Sequence, residues 1–231
     1  NLGSKMVVPA KEFENVEVKK PWGFEYMMYG NDDVALWYLH LEPGAATSLH
    51  CHPRKKTGLV LIFGEAEISF LNDSARMKAP SRMMIRPGLF HSTQAISEDG
   101  IVLLEIETPR LKGDLVRLED TYGRKAQSYE DGPNISPLGR NRLVFDTPEN
   151  DLAIDYKLHG CTLKLHRVTD ACALQPRRQD DIIMILDGGL YSPDEDPILV
   201  AGDVVKPVTW QRLVNNFNAP KGITVLTINK S

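Results

Sequence analysis

Residues 48–64 read SLHCHPRKKTGLVLIFG, which places two histidines one residue apart, directly before an apolar run that ends at a glycine. In a β-strand, residues i and i+2 point to the same face of the sheet. His50 and His52 therefore present two imidazoles side by side, while Cys51 points the other way. Two ring nitrogens on one face can begin a metal site, and the ordinary alternative is a pair of polar residues at the end of a strand.

Short runs rich in β-branched and aromatic residues recur along the chain, separated by glycine, proline, asparagine and aspartate. Three examples are DVALWYLHLEPG at residues 33–44, GLVLIFGEAEISFLND at 58–73 and GIVLLEIETP at 100–109. Runs of this length with these turn residues favour strands over long helices. The sequence therefore predicts an all-β protein.

Two strand-rich halves are separated by residues 111–141, where the apolar periodicity weakens and charge, glycine and proline accumulate. We predict a first barrel at residues 6–125, a linker at 126–140 and a second barrel at 141–231. Residues 1–5, before Met6, are typical of a cloning remnant and do not enter this prediction.

The two halves also show a weak internal repeat. VLIFGEA at residues 60–66 matches MILDGGL at 184–190, and IRPGLFH at 85–91 matches VKPVTWQ at 205–211. The alignment pairs Gly64 with Gly188, Thr57 with Asp181, His50 with Leu174, His52 with Pro176 and His91 with Gln211. If the repeat is real, the second half lacks every histidine that the first half offers at these positions.

The composition is that of an ordinary globular protein, with 42% hydrophobic and 25% charged residues and a formal net charge of −4. The slight negative charge argues against a general nucleic-acid or membrane binder. Three cysteines (Cys51, Cys161 and Cys172) form no CxxC pair, which suits a reducing cytoplasm. No signal peptide or membrane-length apolar run is recognisable, so we expect a cytoplasmic protein.

The spacing of the histidines resembles the two motifs of the cupin superfamily. The first motif has a glycine, then HxH after five residues, then a glutamate and a second glycine, and the second motif has PG followed by a histidine. The matching residues are Gly44, His50, His52, Gly64, Pro87, Gly88 and His91, with Thr57 at the position of the glutamate. The resemblance implies two cupin (double-stranded β-helix, jelly-roll) barrels in tandem, a bicupin in which the second barrel is degenerate.

A narrower resemblance covers most of the first half. Residues 18–30 (VKKPWGFEYMMYG), 39–52 (LHLEPGAATSLHCH) and 103–120 (LLEIETPRLKGDLVRLED, ending at Asp120) are similar to the cupin domain of type II phosphomannose isomerases and related sugar-metabolism cupins. Those isomerases usually carry glutamine where this chain has His50, and glutamate where it has Thr57. The resemblance implies a sugar or a sugar phosphate as the substrate.

In a cupin barrel, His50, His52 and His91 would converge inside one end and bind one divalent transition metal. Three neutral imidazoles suit Zn, Fe, Ni, Co or Mn, and the ligands alone do not choose among these metals. A threonine in place of the glutamate ligand removes a negative charge and leaves an open coordination position, which a catalytic metal needs. The ordinary alternative for Thr57 is a strand residue without a role in the site.

Four cationic residues lie close to the histidines in sequence: Arg54, Lys55, Lys56 and Arg86. Such side chains could bind the phosphate or carboxylate of an anionic substrate, and the alternative is a solvated loop. Trp22, within Pro-Trp-Gly, is a candidate for stacking on a sugar ring, whereas Trp37 is expected in the core.

Glu105 and Glu107 alternate along LLEIETP and therefore share one face of a strand. If that face points into the barrel, either carboxylate could move a proton near the metal, and an outward, solvated face is the alternative. Five other residues are expected to be solvated or structural: His40, Glu65, Glu67, His159 and His166.

Three functions are consistent with these residues. The preferred one is a metal-dependent isomerase or epimerase acting on a sugar or sugar phosphate, in which the metal polarises a carbonyl and Glu105 or Glu107 moves a proton. The alternatives are a three-histidine iron oxygenase or dioxygenase acting on a small organic acid, and a non-enzymatic small-molecule-binding bicupin. The expected partner is a small anionic or sugar-like molecule, and a homodimer is the common default.

Overall fold

A computed structural model describes residues 13–119, 123, 134–176 and 178–231. Residues 1–5, the predicted domain start at Met6, Asp120 and most of the predicted linker lie outside the described residues. Strands dominate the described part, and the all-β prediction is confirmed. The one described α-helix has eight residues, and no described helix is long and apolar enough to cross a membrane.

The described strands are numbered in chain order. Those of the first half are β1 (Val16–Lys20), β2 (Gly23–Gly30), β3 (Ala35–Leu41), β4 (Leu49–Cys51), β5 (Lys56–Phe63), β6 (Glu65–Ser69), β7 (Ser74–Lys78), β8 (Ser81–Ile85), β9 (Ser92–Ala95), β10 (Ile101–Thr108) and β11 (Val116–Glu119). β12 (Ile135–Pro137) lies between the halves, and those of the second half are β13 (Ala153–Leu158), β14 (Cys161–Val168), β15 (Ile182–Tyr191), β16 (Pro197–Val200), β17 (Val204–Val205) and β18 (Ile223–Lys230). A 3₁₀ turn at Ala171–Ala173 and helix α1 (Pro207–Val214) complete the second half.

The first half folds into two facing antiparallel sheets. One sheet has the strand order β12-β1-β2-β3-β10-β5-β8, and the facing layer consists of β7-β6-β9 and β11-β4. An antiparallel bridge between His50 and His91 joins the two parts of the facing layer. Residues 135–137, which the sequence analysis assigns to the linker, form β12 and extend the first sheet by pairing with β1.

The central strands β3, β5 and β10 are buried on both faces, which explains why their sequences read as almost continuous apolar runs. One face contributes Trp37, Leu59 and Leu103 to the interior of the first barrel. The opposite face contributes Val60 and Leu104 to a core shared with the second half. Glu105 and Glu107 alternate with Ile106, which belongs to the shared core, so both carboxylates lie on the barrel-interior face.

The second half packs its own sheet, in the order β13-β14-β18-β15-β16, against the first. Leu163, Met184 and Leu226 contribute the facing side of the shared core. On the opposite side of this sheet, Ile185 and Val225 pack with Trp210 of α1. The two halves are therefore held together by an apolar layer between two sheets.

The strand register is repeated in the two halves. In the first half, Glu107 pairs with Thr57, and a bulge follows where Val102 pairs with Phe63. In the second half, β18 and β15 pair in the same way: adding 122 to a residue number of β10 and 124 to that of its partner in β5 gives the corresponding pair. The bulge lies at the corresponding place, where Thr224 pairs with Asp187. Gly64 and Gly188 occupy equivalent positions, each with a positive φ (82° and 68°).

These two glycines are required by a close approach of the backbone. A Cβ on Gly64 would lie 2.6 Å from the carbonyl oxygen of Gly100, and one on Gly188 would lie 2.2 Å from that of Gly222. Gly160 offers a matched comparison because its φ is +74° but a Cβ there would meet nothing within 4 Å. Comparing substitutions at Gly160 with those at Gly64 and Gly188 therefore separates the cost of a left-handed backbone from the cost of steric overlap.

We expect Gly160→Ala to lower the free energy of unfolding by about 1 kcal/mol, because an alanine must adopt a left-handed conformation. Gly64→Ala and Gly188→Ala should each cost about 3 kcal/mol or more, since the backbone must also move to relieve the overlap. Urea denaturation followed by circular dichroism measures these values. Equal losses for all three variants would show that the close approach does not matter.

Candidate metal centre

The three histidines lie on two chain segments that the facing layer brings together. His50 is in β4, His52 follows it, and His91 directly precedes β9. The main-chain N–H of His50 donates to the carbonyl of His91 (3.0 Å), and the N–H of His91 donates to the carbonyl of His50 (2.8 Å). Gly88, with a φ of +75°, allows the turn before His91 and donates its N–H to the carbonyl of His52 (2.9 Å).

Each imidazole is oriented by a hydrogen bond to a main-chain carbonyl. Nδ1 lies 2.7 Å from the Ser48 oxygen in His50, 2.7 Å from the Asp114 oxygen in His52, and 2.9 Å from the Leu89 oxygen in His91. A carbonyl can only accept, so Nδ1 carries the proton in all three rings. Nε2 of each ring is therefore left with its lone pair, which is the form that binds a metal.

The three rings converge. Their centroids lie 4.6 to 5.6 Å apart, and the ring nitrogens available for ligation all lie within 4.8 Å of one another. Nε2 of His52 is buried and has no hydrogen-bond partner among the described residues. Burial lowers the pKa of all three imidazoles below the ordinary value, and Lys55 lowers it further, so the rings stay neutral at physiological pH. This donor set fits a divalent transition metal.

Thr57 occupies the position where the cupin motif has its glutamate. It is fully buried, and its hydroxyl has no hydrogen-bond partner among the described residues. Its neighbour across the sheet is Glu107 of β10. The motif position therefore has no carboxylate, but the neighbouring strand β10 supplies that of Glu107 beside Thr57.

Glu105 and Glu107 point into the same cavity as the histidines. Oxygen atoms of both carboxylates and a ring nitrogen of His52 all lie within 4.8 Å of one another. The Nζ of Lys55 donates to Oε1 of Glu107 at 2.6 Å, and both side chains are almost completely buried. A buried ion pair of this kind orders the lysine and the carboxylate, because each would be costly to bury without the other.

The two carboxyl groups have different pKa values for physical reasons. Burial, together with the neighbouring Glu107 carboxylate, raises the pKa of Glu105 to about 8. Burial also acts to raise the pKa of Glu107, but the Lys55 and Lys112 ammonium groups outweigh it and hold that pKa below its usual range. At neutral pH the pair therefore consists of a protonated Glu105 and an ionised Glu107, which is an arrangement suited to acid and base catalysis.

Glu25 and Lys112, which the sequence did not predict as site residues, also line the cavity. The Nζ of Lys112 lies 2.8 Å from Oε1 of Glu25 and 3.4 Å from the centroid of the Trp37 ring. The carboxylates of Glu25 and Glu107 raise the pKa of Lys112, even though burial acts in the opposite direction. Glu25 could have been identified as a charged residue within an otherwise apolar strand, whereas Lys112 lies outside any strand and shows no periodic signal.

The cavity between these groups has a volume of about 70 Å³. Among the residues proposed from the sequence, those that line it are Trp22, His50, His52, Lys55, Glu105 and Glu107. A larger cleft of about 560 Å³ lies between the two halves and is lined by Phe63, Lys78 and His159. Volume alone does not locate the site, because the convergent imidazoles and carboxylates belong to the smaller cavity.

Three of the proposed substrate-binding cations do not line this cavity. Lys55 and Thr57 point inward, so strand alternation turns Lys56 outward, where its ammonium pairs with Asp203 of the second half. Arg54 is more than half exposed and lies 3.2 Å from Asp114, and Arg86 is exposed. The sequence analysis grouped these residues with Lys55 by proximity along the chain, whereas the direction of each side chain separates them.

The residues expected to be solvated or structural lie away from the histidine centre. His40 stacks on Phe24, and the Nε2 of His159 lies 2.9 Å from the hydroxyl of Tyr38. Glu65 pairs with Lys78 at 3.1 Å. Glu67 accepts a hydrogen bond from Ser74, and His166 lies on the second sheet. Trp37 is fully buried, as expected for a core residue.

No family model matches the chain. Two curated relatives match part of it: the xanthan biosynthesis protein XanB of Xanthomonas campestris (26% identical over 110 residues) and the alginate biosynthesis protein AlgA of Pseudomonas putida (21% identical over 128 residues). The matches cover 47% and 54% of this chain but only 24% and 26% of those proteins. The chain thus spans about a quarter of the length of these relatives.

Similar solved structures include a double-stranded β-helix protein from Klebsiella pneumoniae, with 17% identity, a TM-score of 0.41, and 51% of this chain and all of that chain covered. KdgF from a Halomonas species has 18% identity and a TM-score of 0.37, with 39% of this chain and 83% of that chain covered. The cupin-2 domain of Rru_A2000 from Rhodospirillum rubrum has 14% identity and a TM-score of 0.36, with 47% and 67% covered.

We expect protein purified without a histidine tag to bind one transition-metal ion per chain. His50→Ala and His91→Ala should each weaken the affinity at least about 100-fold, because each removes one of three ligands. His166→Ala is the control, since this histidine lies on the second sheet. Plasma emission analysis after dialysis, together with the absorption spectrum of the Co²⁺-loaded protein, measures the binding. Unchanged metal content in the two variants would contradict the assignment.

Loss of the buried partner of Glu107 should destabilise the fold. We expect Lys55→Met to lower the free energy of unfolding by about 3 kcal/mol, because an ionised carboxylate then remains buried with less compensation. Lys56→Met is the neighbouring control, and its partly exposed pair with Asp203 should contribute no more than about 1 kcal/mol. Thermal and urea unfolding distinguish the two variants, and similar losses would argue against a special role for the buried pair.

Proposed function

We propose that this protein is a metal-dependent isomerase or epimerase acting on a sugar or sugar phosphate. The observation that carries the proposal is that carboxylate oxygens of Glu105 and Glu107 and a ring nitrogen of His52 lie within 4.8 Å of one another, in a cavity that His50 also lines. An isomerisation through an enediol needs a group that removes a proton from carbon and one that returns it. The two carboxyl groups, with their separated pKa values, supply both forms at neutral pH.

The residues of the chain then have distinct roles. A metal held by His50, His52 and His91 would supply the positive charge that polarises the substrate carbonyl. Glu107 acts as the base and Glu105 as the acid in one direction, and the roles exchange in the reverse direction. Lys55 holds Glu107 in place through its 2.6 Å hydrogen bond.

In this scheme the cavity of about 70 Å³ holds the reacting carbons of the substrate. The remainder of the substrate would extend past Trp22 and Arg117, which also line the cavity. Arg117 is a cation that the sequence analysis did not propose, and in this scheme it lies close enough to contact an anionic group of the substrate.

The curated relatives support this substrate class. XanB and AlgA are described as xanthan and alginate biosynthesis proteins, which places both in polysaccharide metabolism. Because this chain matches only about a quarter of each, their complete activities do not transfer to it.

A second candidate function is that of an iron-dependent oxygenase acting on a small organic acid. It is favoured by Thr57, because a three-imidazole set with no carboxylate at the motif position leaves coordination positions for substrate and O₂. A binding protein without catalytic activity is the remaining alternative. Oxygen uptake that depends on a substrate would support the oxygenase, and retention of a ligand without turnover would support the binding protein.

We also propose a cytoplasmic location and a division of the chain into two domains. Cys51, Cys161 and Cys172 are all free thiols, which suits the reducing cytoplasm that we expect. We place the metal centre in a first domain that includes β12, and we treat the second sheet with α1 as a second domain.

We expect metal-loaded protein to exchange a carbon-bound proton of a sugar or sugar phosphate with solvent in D₂O, observed by proton NMR. Glu105→Gln should slow this exchange at least about 100-fold, because a positioned acid or base contributes factors of that size. Glu65→Gln, at a surface carboxylate, is the control. Absence of exchange on every aldose and ketose phosphate tested would count against an isomerase.

A further inference from the structure

The repeated register assigns counterparts in the second half to Glu105, Glu107 and Thr57 of the first half. Thr227 and Asn229 of β18 occupy the positions of Glu105 and Glu107, since they pair with neighbouring strands in the same way. The position of Thr57 is taken by Asp181, which directly precedes β15. The acidic and metal-binding groups of the first barrel are therefore replaced at these places.

Part of the corresponding face of the second sheet is polar, while Ile185 and Val225 on the same face pack with Trp210. His166 and Lys164 of β14 stand at the places of Leu39 and Trp37 of β3. In the first half, Leu39 and Trp37 are buried in the barrel core. The side chains of Lys164, His166, Thr227 and Asn229 are half-buried, so this part of the face is accessible to a ligand.

These side chains line a cleft of about 440 Å³ rather than an open sheet face. One wall is the sheet, with Lys164, Thr227 and Asn229, and the other is the segment that contains Leu174 and Pro176. Leu174 and Pro176 are the residues that the sequence repeat aligns with His50 and His52. Among the described residues, no group of metal-binding side chains converges in this cleft.

The cleft contains three cationic groups and two carboxylates, those of Asp155 and Asp181, and the Lys164 ammonium lies 3.6 Å from the Asp155 carboxylate. Lys157, Lys164 and Arg178 offer positive charge, while Thr227 and Asn229 offer hydroxyl and amide groups. The guanidinium of Arg178 is held by a 2.6 Å hydrogen bond to the carbonyl of Lys230. A pre-oriented guanidinium beside lysines is well suited to a carboxylate or phosphate, and hydroxyl and amide groups are suited to sugar hydroxyls.

We propose that this cleft is a second, metal-independent binding site for a small polyhydroxylated anion, either a sugar acid or a sugar phosphate. Asp181, which is only 2% exposed, accepts a hydrogen bond from the main-chain N–H of Arg178 (3.2 Å). This bond holds the main chain at the point where it turns from the wall of the cleft toward β15. The size of the cleft falls in the range of small-molecule sites. The site does not depend on the chemistry proposed for the histidine centre.

Isothermal titration of protein stripped of metal with EDTA tests the proposal, with glucuronate and glucose 6-phosphate as probes and neutral glucose as the reference. We expect saturable binding of at least one anionic probe and much weaker binding of glucose. Lys164→Gln and Arg178→Gln should each weaken that binding at least about 10-fold, because each removes a charge from the cleft. Comparison of the two probes distinguishes carboxylate from phosphate recognition.

Two control variants test whether binding of the anionic probe depends on the first site or on the net charge of the protein. His91→Ala should leave binding of the anionic probe unchanged, since that histidine belongs to the first barrel. Lys19→Gln removes an exposed lysine of β1 and should also have no effect. The proposal is overturned if the stripped protein binds neither anion, or if Lys164→Gln and Arg178→Gln bind the probe as tightly as the unmodified protein. Sensitivity of binding to His91→Ala would instead place the ligand in the first barrel.

Discussion

Three hydrogen bonds from imidazole Nδ1 to main-chain carbonyls determine what the first barrel can do. The carbonyls belong to Ser48, Leu89 and Asp114, which lie on three separate segments of the chain. Because a main-chain carbonyl holds each ring, the Nε2 atoms already converge without a metal. A metal would therefore have to order the imidazole side chains very little on binding. Folding of the barrel and formation of the ligand set are therefore the same event.

Asp114 links the histidines to the buried charges. Its carbonyl orients His52, while its carboxylate accepts the main-chain N–H groups of Arg54 and Lys55. The loop that carries Lys55 toward Glu107 is thus held by the same residue that holds a metal-binding ring. Any motion of this loop would alter the imidazole orientation and the protonation of the carboxylate pair together, since Lys55 lowers the pKa of Glu107. The His52 imidazole and the carboxylate pair therefore share one support.

Much of the site could be predicted from residue spacing because its residues lie in strands. The period of two places His50 beside His52 and Glu105 beside Glu107, and the all-β class follows from the same patterns. The direction of Lys56 could have been derived in the same way, since it lies between Lys55 and Thr57. Lys112 could not, because it lies in a loop whose path depends on Glu25 and Trp37, two residues far away in sequence. The pairing of β12 with β1 likewise depends on tertiary packing rather than on local pattern.

The shared core explains how the second half can lack these histidines and still pack against the first. Sheet-to-sheet packing uses Leu163, Met184 and Leu226 on one face, while the polar cleft uses Lys164 and Thr227 on the other. Because alternate residues of a strand serve opposite faces, the interior of the second half is free to change without weakening its contact with the first. The same separation operates in β10, where Ile106 joins the shared core and its two neighbours supply the carboxylates. A strand buried on both faces thus serves packing with one set of residues and chemistry with the other.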